Sequence, residues 1–185
     1  MADATAKGKT GEAASRKDYR WQLIIERLTG KAQGADLSHN KYVQWGVETE
    51  PEARSAFEIE SGEFVTEVGF IPHPKIAMSG ASPDGLLPGG GVLEIKCPAS
   101  QTHGEVLRSE KIPGKYQKQM LWQMACTGRG WGKFVSYDPR FNRGNRLLII
   151  NFEPPAAAIE SLEAEAELFL SEVAADELWL RNRKG

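Results

Sequence analysis

The sequence predicts an α/β fold, a mixed β-sheet flanked by helices. Segments with helical spacing alternate with short apolar runs, in the order helix, helix, several strands, helix, two strands, helix. The strand-like runs are bounded by strong turn signals, Ser82-Pro83-Asp84-Gly85 and Pro88-Gly89-Gly90-Gly91. A length of 185 residues, with 41% hydrophobic and 26% charged residues, suits one globular domain with a sizeable core.

Taken in order, residues 1–16 are rich in Ala, Gly, Thr and Lys without apolar periodicity. They read as a flexible tail, leaving 17–185 as a single domain. From Asp18, a candidate cap, the spacing of Trp21, Leu23, Ile24, Ile25 and Leu28 predicts a helix that stops at Gly30. A polar loop through Lys31–Asn40 leads to a second helix over about Lys41–Glu60. Pro51 either divides it or sits in the first turn of a helix beginning near Glu50. Ala53, Ala56 and Phe57 form its expected core face.

Phe64–Phe70, Ile76–Ser79, Leu86–Leu87 and Gly91–Cys97 read as strands, the last the strongest. Lys115–Thr127 has helical spacing closed by Gly128, and Gly132–Tyr137 and Arg146–Phe152 read as two further strands. Pro154-Pro155 breaks the chain before a long helix over about Ala156–Leu180, with Leu162, Ala166, Phe169, Leu170 and Val173 on one face.

Composition excludes several classes. No apolar run approaches the length of a membrane span, and the first twenty residues lack the apolar core of a secretory signal. Cys97 and Cys126 are too few for a disulfide scaffold and lie outside metal-ligand spacings. These features indicate a soluble cytosolic protein. The net charge of −2 hides an uneven distribution: residues 101–146 carry nine Lys and Arg against three acids, and residues 156–180 carry seven acids and no Lys or Arg. Such asymmetry is compatible with a nucleic-acid surface, although basic stretches are often only solvated.

The chemistry concentrates between Ser82 and Pro98. Strand alternation puts Glu94 and Lys96 on one face and Leu93, Ile95 and Cys97 on the other. Asp84 precedes the hairpin through Pro88–Gly91, so an antiparallel return brings its carboxylate beside Glu94. Two carboxylates converging with a carbonyl such as that of Ile95 suit a hard, oxygen-seeking cation such as Mg2+. A lysine beside them can hold or polarise a water and offset charge developing on a phosphoryl oxygen. Ser-Pro-Asp-Gly is also an ordinary type I turn, and alternate Glu and Lys an ordinary solvent face, so the short motif alone leaves both readings open.

The wider pattern narrows them. Pro83-Asp84, a ten-residue step, then Glu94-Ile95-Lys96 resembles the PD-(D/E)XK nuclease superfamily. The flanks resemble specifically its lambda-exonuclease/YqaJ-type viral recombinase family. The likeness runs in order through Trp45-Gly46 with Glu50-Pro51-Glu52-Ala53-Arg54, Ser82-Pro83-Asp84-Gly85-Leu86 and Leu93-Glu94-Ile95-Lys96-Cys97-Pro98. It continues through Tyr116-Gln117-Lys118-Gln119-Met120 and Tyr137-Asp138-Pro139-Arg140. The blocks span roughly residues 18–152, most of the chain.

The resemblance implies a restriction-endonuclease-like core and one nuclease domain over 17–185. It implies a Mg2+-dependent DNA exonuclease (a phosphodiester hydrolase, with Mn2+ as a substitute) that digests 5′→3′ from duplex ends and leaves 3′ single-stranded tails. Asp84 and Glu94 match the metal-binding carboxylates, with the Ile95 carbonyl beside them, and Lys96 matches the catalytic lysine. Glu50 matches a helix-borne acid near the metal, with Glu48 or Glu52 as alternatives. Gln119 matches a glutamine facing the site, with Gln117 and Gln123 as alternatives. Ser82 matches a residue holding the 5′-phosphate, for which Arg27, or else Arg20, is the candidate partner. Double-stranded DNA ends, a homotrimer that encircles DNA processively, a single-strand annealing recombinase as partner and a phage or prophage origin in the bacterial cytoplasm are likewise implied. The competing readings are an endonuclease on the same core, sequence-independent or site-specific, and a catalytically silent DNA-binding protein. Cys97 reads as a buried structural thiol, His73 and His103 receive no role, and Trp122 and Trp131 read as core.

Overall fold

A sheet of four strands carries the core of residues 37–159. The computed structural model describes residues 3–8, 12–34 and 36–183; residues 1–2 and 9–11 of the expected tail, and 184–185 of the expected domain, lie outside the described residues. The chain divides into two compact units, Leu37–Ile159 and a second made of Met1–Asp36 with Glu160–Gly185.

In the second unit α1 (Ala14–Thr29) ends at Gly30, whose φ of 68° gives the left-handed stop that glycine adopts without strain. It begins a turn earlier than the Asp18 cap predicts. Ion pairs rather than apolar spacing fix that first turn, because Arg16 reaches Glu12 at 2.7 Å and Glu172 at 2.6 Å. Ile24 packs with Phe169 and Val173 of α5 (Ala156–Asn182), and Ala4 lies buried in the same cluster.

The larger unit begins with α2 (Lys41–Ser61), capped by the Asn40 side chain, which accepts from the Tyr42 and Val43 amides. The helix runs through Pro51 unbroken, the proline lying on its exposed side. Two short strands, β1 (Ile71–Pro72) and β2 (Gly80–Ala81), pair antiparallel. Then β3 (Gly85–Leu87), β4 (Gly91–Lys96), β5 (Trp131–Tyr137) and β6 (Leu147–Phe152) form the four-stranded sheet in that order. β4 and β5 are parallel and the other pairs antiparallel, so the sheet is mixed. A parallel pair needs a crossover, supplied here by α3 (Ser100–Ser109) and α4 (Gly114–Thr127).

Each face is covered. Ala53 and Phe57 of α2 pack on Leu93, Ile95, Val135 and Tyr137, while Val106, Met120 and Met124 of α3 and α4 pack on Val92 and Phe134. The predicted mixed sheet flanked by helices is what the chain forms. Two local expectations fail. Phe64–Phe70 makes only one bridge, Thr66 to Leu86, with Phe64 and Phe70 largely exposed; Ile76–Ser79 is a bend in which Met78 takes φ 60°. Val65 packs on the core beside α2 and Ile76 is buried, so these apolar side chains find cover without the backbone pairing along its length as a strand. Helix α3 was not anticipated.

Candidate active site

The β3–β4 hairpin assembles the site. Gly85 pairs with Leu93, so the next rung sets Asp84 opposite Glu94. Asp84 Oδ2 accepts the Ile95 amide at 2.7 Å. A strand residue directs its N–H and C=O to the same edge, so the Ile95 carbonyl also faces the Asp84 side of β4, away from β5. Gly85 lets the chain pass close to its neighbour, for a Cβ there would meet Val65 Cγ1 at 2.1 Å.

Glu94 and Lys96 share the α4 face, as strand parity requires. Lys96 Nζ lies 2.5 Å from Glu94 Oε1 and 3.8 Å from Asp84 Oδ2, tying the two carboxylates together. The Tyr116 ring stands beneath the ammonium, its centroid 5.6 Å away. Glu94 is fully buried, and burial, followed by the Asp84 charge, pushes its carboxyl up to about 7. Burial also raises Asp84, against the pull of Lys96. Burial works to lower the Lys96 ammonium, but Glu94 and Asp84 outweigh it and hold its pKa above the ordinary value.

Glu50 reaches in from α2, on the other side of the sheet. Burial and then the Asp84 charge raise its carboxyl, while Arg54 and Lys96 oppose the shift. Its Oε1 accepts from Arg54 Nη2 at 2.6 Å. The two alternatives are placed differently: Glu52 is taken by the Tyr137 hydroxyl at 2.7 Å, and Glu48 is exposed. A cleft of about 390 Å³ opens beside the cluster, lined by Glu50, Ile95, Lys96 and Tyr116 with Tyr42, Val43 and Val47.

Of the three glutamines, Gln123 touches the carboxylates. It is buried, and its Nε2 donates to Glu94 Oε2 at 2.6 Å. Gln119 lies one helical turn earlier and half-buried, and Gln117 donates to the Ile112 carbonyl. Ser82 is exposed two residues before Asp84. Arg27 belongs to the other compact unit, where it pairs with Glu177 at 3.4 Å, and Arg20 is drawn to Glu12, Glu172 and Asp176.

The donor set fits a hard divalent cation. All donors are oxygens, two are carboxylates sharing one lysine, and Glu94 Oε1 is buried without a hydrogen bond of good geometry. Among the described residues no group of three or more His, Cys, Asp and Glu stands at metal-holding distances.

The remaining candidates are structural. Cys97 lies on the apolar face, its thiol pushed up to about 12 by burial, and is no nucleophile at neutral pH. Trp122 is buried with its Nε1 donating to the Gly80 carbonyl, and His73 stacks on it at 5.0 Å. His103 is fully buried between Ser136 Oγ and the Asn145 carbonyl, both at 2.8 Å, and anchors α3 to the loop after β5.

Known proteins show the same arrangement of chain. The model of the YqaJ-like viral recombinase domain matches residues 4–130. No curated protein sequence matches the chain. Among solved structures it is similar to an alkaline exonuclease, LHK-Exo, from Laribacter hongkongensis, with 45% identity over 97% of this chain and 88% of that one and a TM-score of 0.89. A structure of LHK-Exo in complex with dAMP matches at 44% identity over the same shares, with a TM-score of 0.88. A phage-related exonuclease from Haemophilus somnus shares the fold at 13% identity, with a TM-score of 0.64 over 92% of this chain and 90% of that one.

Proposed function

The chain belongs to the YqaJ-like viral recombinase family and is a nuclease, a hydrolase acting on DNA; from that premise we propose that it is a Mg2+-dependent exonuclease digesting linear duplex DNA 5′→3′. The convergence of Asp84 and Glu94 on Lys96 is the observation that carries this reading.

Asp84, Glu94 and the Ile95 carbonyl would hold the cation, with Mn2+ as a substitute. When bound, it supplies charge neutralisation at the scissile phosphate and a lowered pKa for water. Lys96, displaced from the carboxylates it now bridges, orients the attacking water and offsets negative charge at the phosphate. Glu50 carries a carboxylate toward the same centre from the far side of the sheet. Gln119, one turn from Gln123 on α4, is proposed to position water or nucleotide, while Gln123 holds Glu94 by its hydrogen bond. The adjoining cleft has room for a released mononucleotide, the class of ligand seen with LHK-Exo as dAMP.

Ser82, with Arg27, is proposed to hold the 5′-phosphate of the DNA end. The exposure of Ser82 two residues from Asp84 supports its share; Arg27 rests on the family pattern. The family pattern also suggests a homotrimer around DNA, processive digestion, 3′ tails passed to a single-strand annealing protein, and a phage or prophage gene acting in the bacterial cytoplasm. Among the described residues no helix is long and apolar enough to cross a membrane.

A time course on linear duplex labelled at one 5′ or one 3′ end, with and without Mg2+ and beside closed circles, tests the reading. Mg2+-dependent loss from 5′ ends with circles intact is expected. Cut circles would indicate an endonuclease, and no cleavage a silent DNA-binding protein.

A further inference from the structure

The geometry points to Arg54 as a positioning residue that aims Glu50 at the cation site, an inference that rests on the nuclease reading above. Arg54 follows Glu50 by one turn of α2, and its Nη2 donates to Glu50 Oε1 at 2.6 Å. Its other terminal nitrogen, Nη1, lies 3.1 Å from Oε2 of Glu67, in the segment between α2 and β1. The guanidinium plane is thus pinned at two corners by two different parts of the chain.

An ordinary ion pair along a helix surface leaves both groups in water and fixes little. Here the Arg54 side chain is only 14% exposed, and its Nε is buried without a hydrogen-bond partner. Burying a guanidinium with one donor unmatched is a poor way to gain stability. It does fix a geometry. With Oε1 committed to Arg54, Oε2 is the Glu50 oxygen left for the centre, and Glu50 lines the same cleft as Ile95 and Lys96. A lysine could not reproduce this, because one ammonium lacks the rigid fork that engages two carboxylates at once.

The test uses the full chain as wild type, Arg54→Gln, Arg54→Lys, Glu50→Gln and the double variant Glu50→Gln/Arg54→Gln. Mn2+ affinity is read by calorimetry without DNA, and single-turnover cleavage of linear duplex is read at saturating DNA. Loss of Arg54 is expected to weaken Mn2+ binding and slow turnover by about 10–100-fold, the usual cost of removing a group that orients a metal ligand. Duplex-end affinity should stay unchanged, Arg54→Lys should rescue only in part, and the double variant should be no worse than Glu50→Gln alone.

Wild-type Mn2+ affinity and rate in Arg54→Gln overturn the inference, as do additive losses in the double variant. Should Arg54→Gln fail to fold, Glu67→Gln removes one tether and leaves the Arg54–Glu50 pair; a smaller loss in the same direction supports the inference, and wild-type values overturn it. A wild-type chain that binds Mn2+ but cleaves nothing would end the nuclease reading, with the calorimetric comparison still deciding for or against Arg54. One that binds no Mn2+ would overturn this inference.

Discussion

Glu94 sits where two demands conflict. A carboxylate that receives a cation must shed its proton, yet burial holds this one protonated up to about 7 rather than the ordinary 4.5. Folding therefore favours the protonated form, and the metal-free protein has that stabilisation in full below the unfolded pKa. It loses it as pH rises through about 7. Relative to Glu94→Gln, the metal-free wild type should lose on the order of 2 kcal/mol between pH 5 and 8, or about 4–8 °C of Tm. Mg2+ at pH 8 should restore it in the wild type and do nothing for the variant. Parallel Tm curves for the two proteins would show that Glu94 is ionised throughout. Lys96 gives a cleaner kinetic test, because its ammonium is the group poised to meet phosphoryl charge. Lys96→Ala should cost about 10²–10³-fold or more in cleavage with duplex binding retained; ordinary turnover in that variant removes lysine from the chemistry.

The elements explain why the site is where it is, and the hairpin before Glu94 matters most. Arg129, just past α4, donates from Nη1 to the Leu87 carbonyl at 2.9 Å and the Gly91 carbonyl at 2.7 Å, clasping the two ends of the β3–β4 turn. Arg129→Met would remove two charge-assisted hydrogen bonds that these carbonyls accept beside their ladder pairing, at a cost of about 1–3 kcal/mol, and loosen the register that sets Asp84 against Glu94. Lower stability with a further fall in turnover at temperatures where the fold persists is expected; full turnover there would show that the turn holds register alone. This hairpin was legible beforehand because its turn residues and the strand period of two point the same way. Helix α3 was not, since Ser100–Ser109 offers little apolar periodicity: its buried members are His103 and Val106, and Gly104 interrupts it. The choice between Gln119 and Gln123 was beyond sequence as well. Residues four apart share a helix face, so spacing alone could not say which of them meets Glu94.

At the scale of the whole molecule, the charge balance conceals that part of the basic stretch 101–146 is engaged by the fold. Of the nine basic residues in 101–146, Arg129 clasps the hairpin, Lys133 pairs with Glu63, and Arg140 pairs with the buried Asp138 at 2.7 Å while lying over the Trp45 ring. These three serve the fold, and a count of basic residues overstates the surface offered to DNA. Arg108, Lys111 and Arg143 are exposed instead. If they meet phosphates, the logarithm of duplex affinity should fall linearly with the logarithm of salt concentration. Each of Arg108→Ala, Lys111→Ala and Arg143→Ala should then flatten that slope by about one, weakening binding alike on every sequence. Arg140→Ala should instead lower stability, since it leaves the buried Asp138 without its cationic partner, with the slope little changed. Fluorescence anisotropy on a labelled duplex across a salt series, with Ca2+ in place of Mg2+ to prevent cleavage, separates the two groups. Equal slopes in all four variants would place the DNA surface elsewhere on the chain.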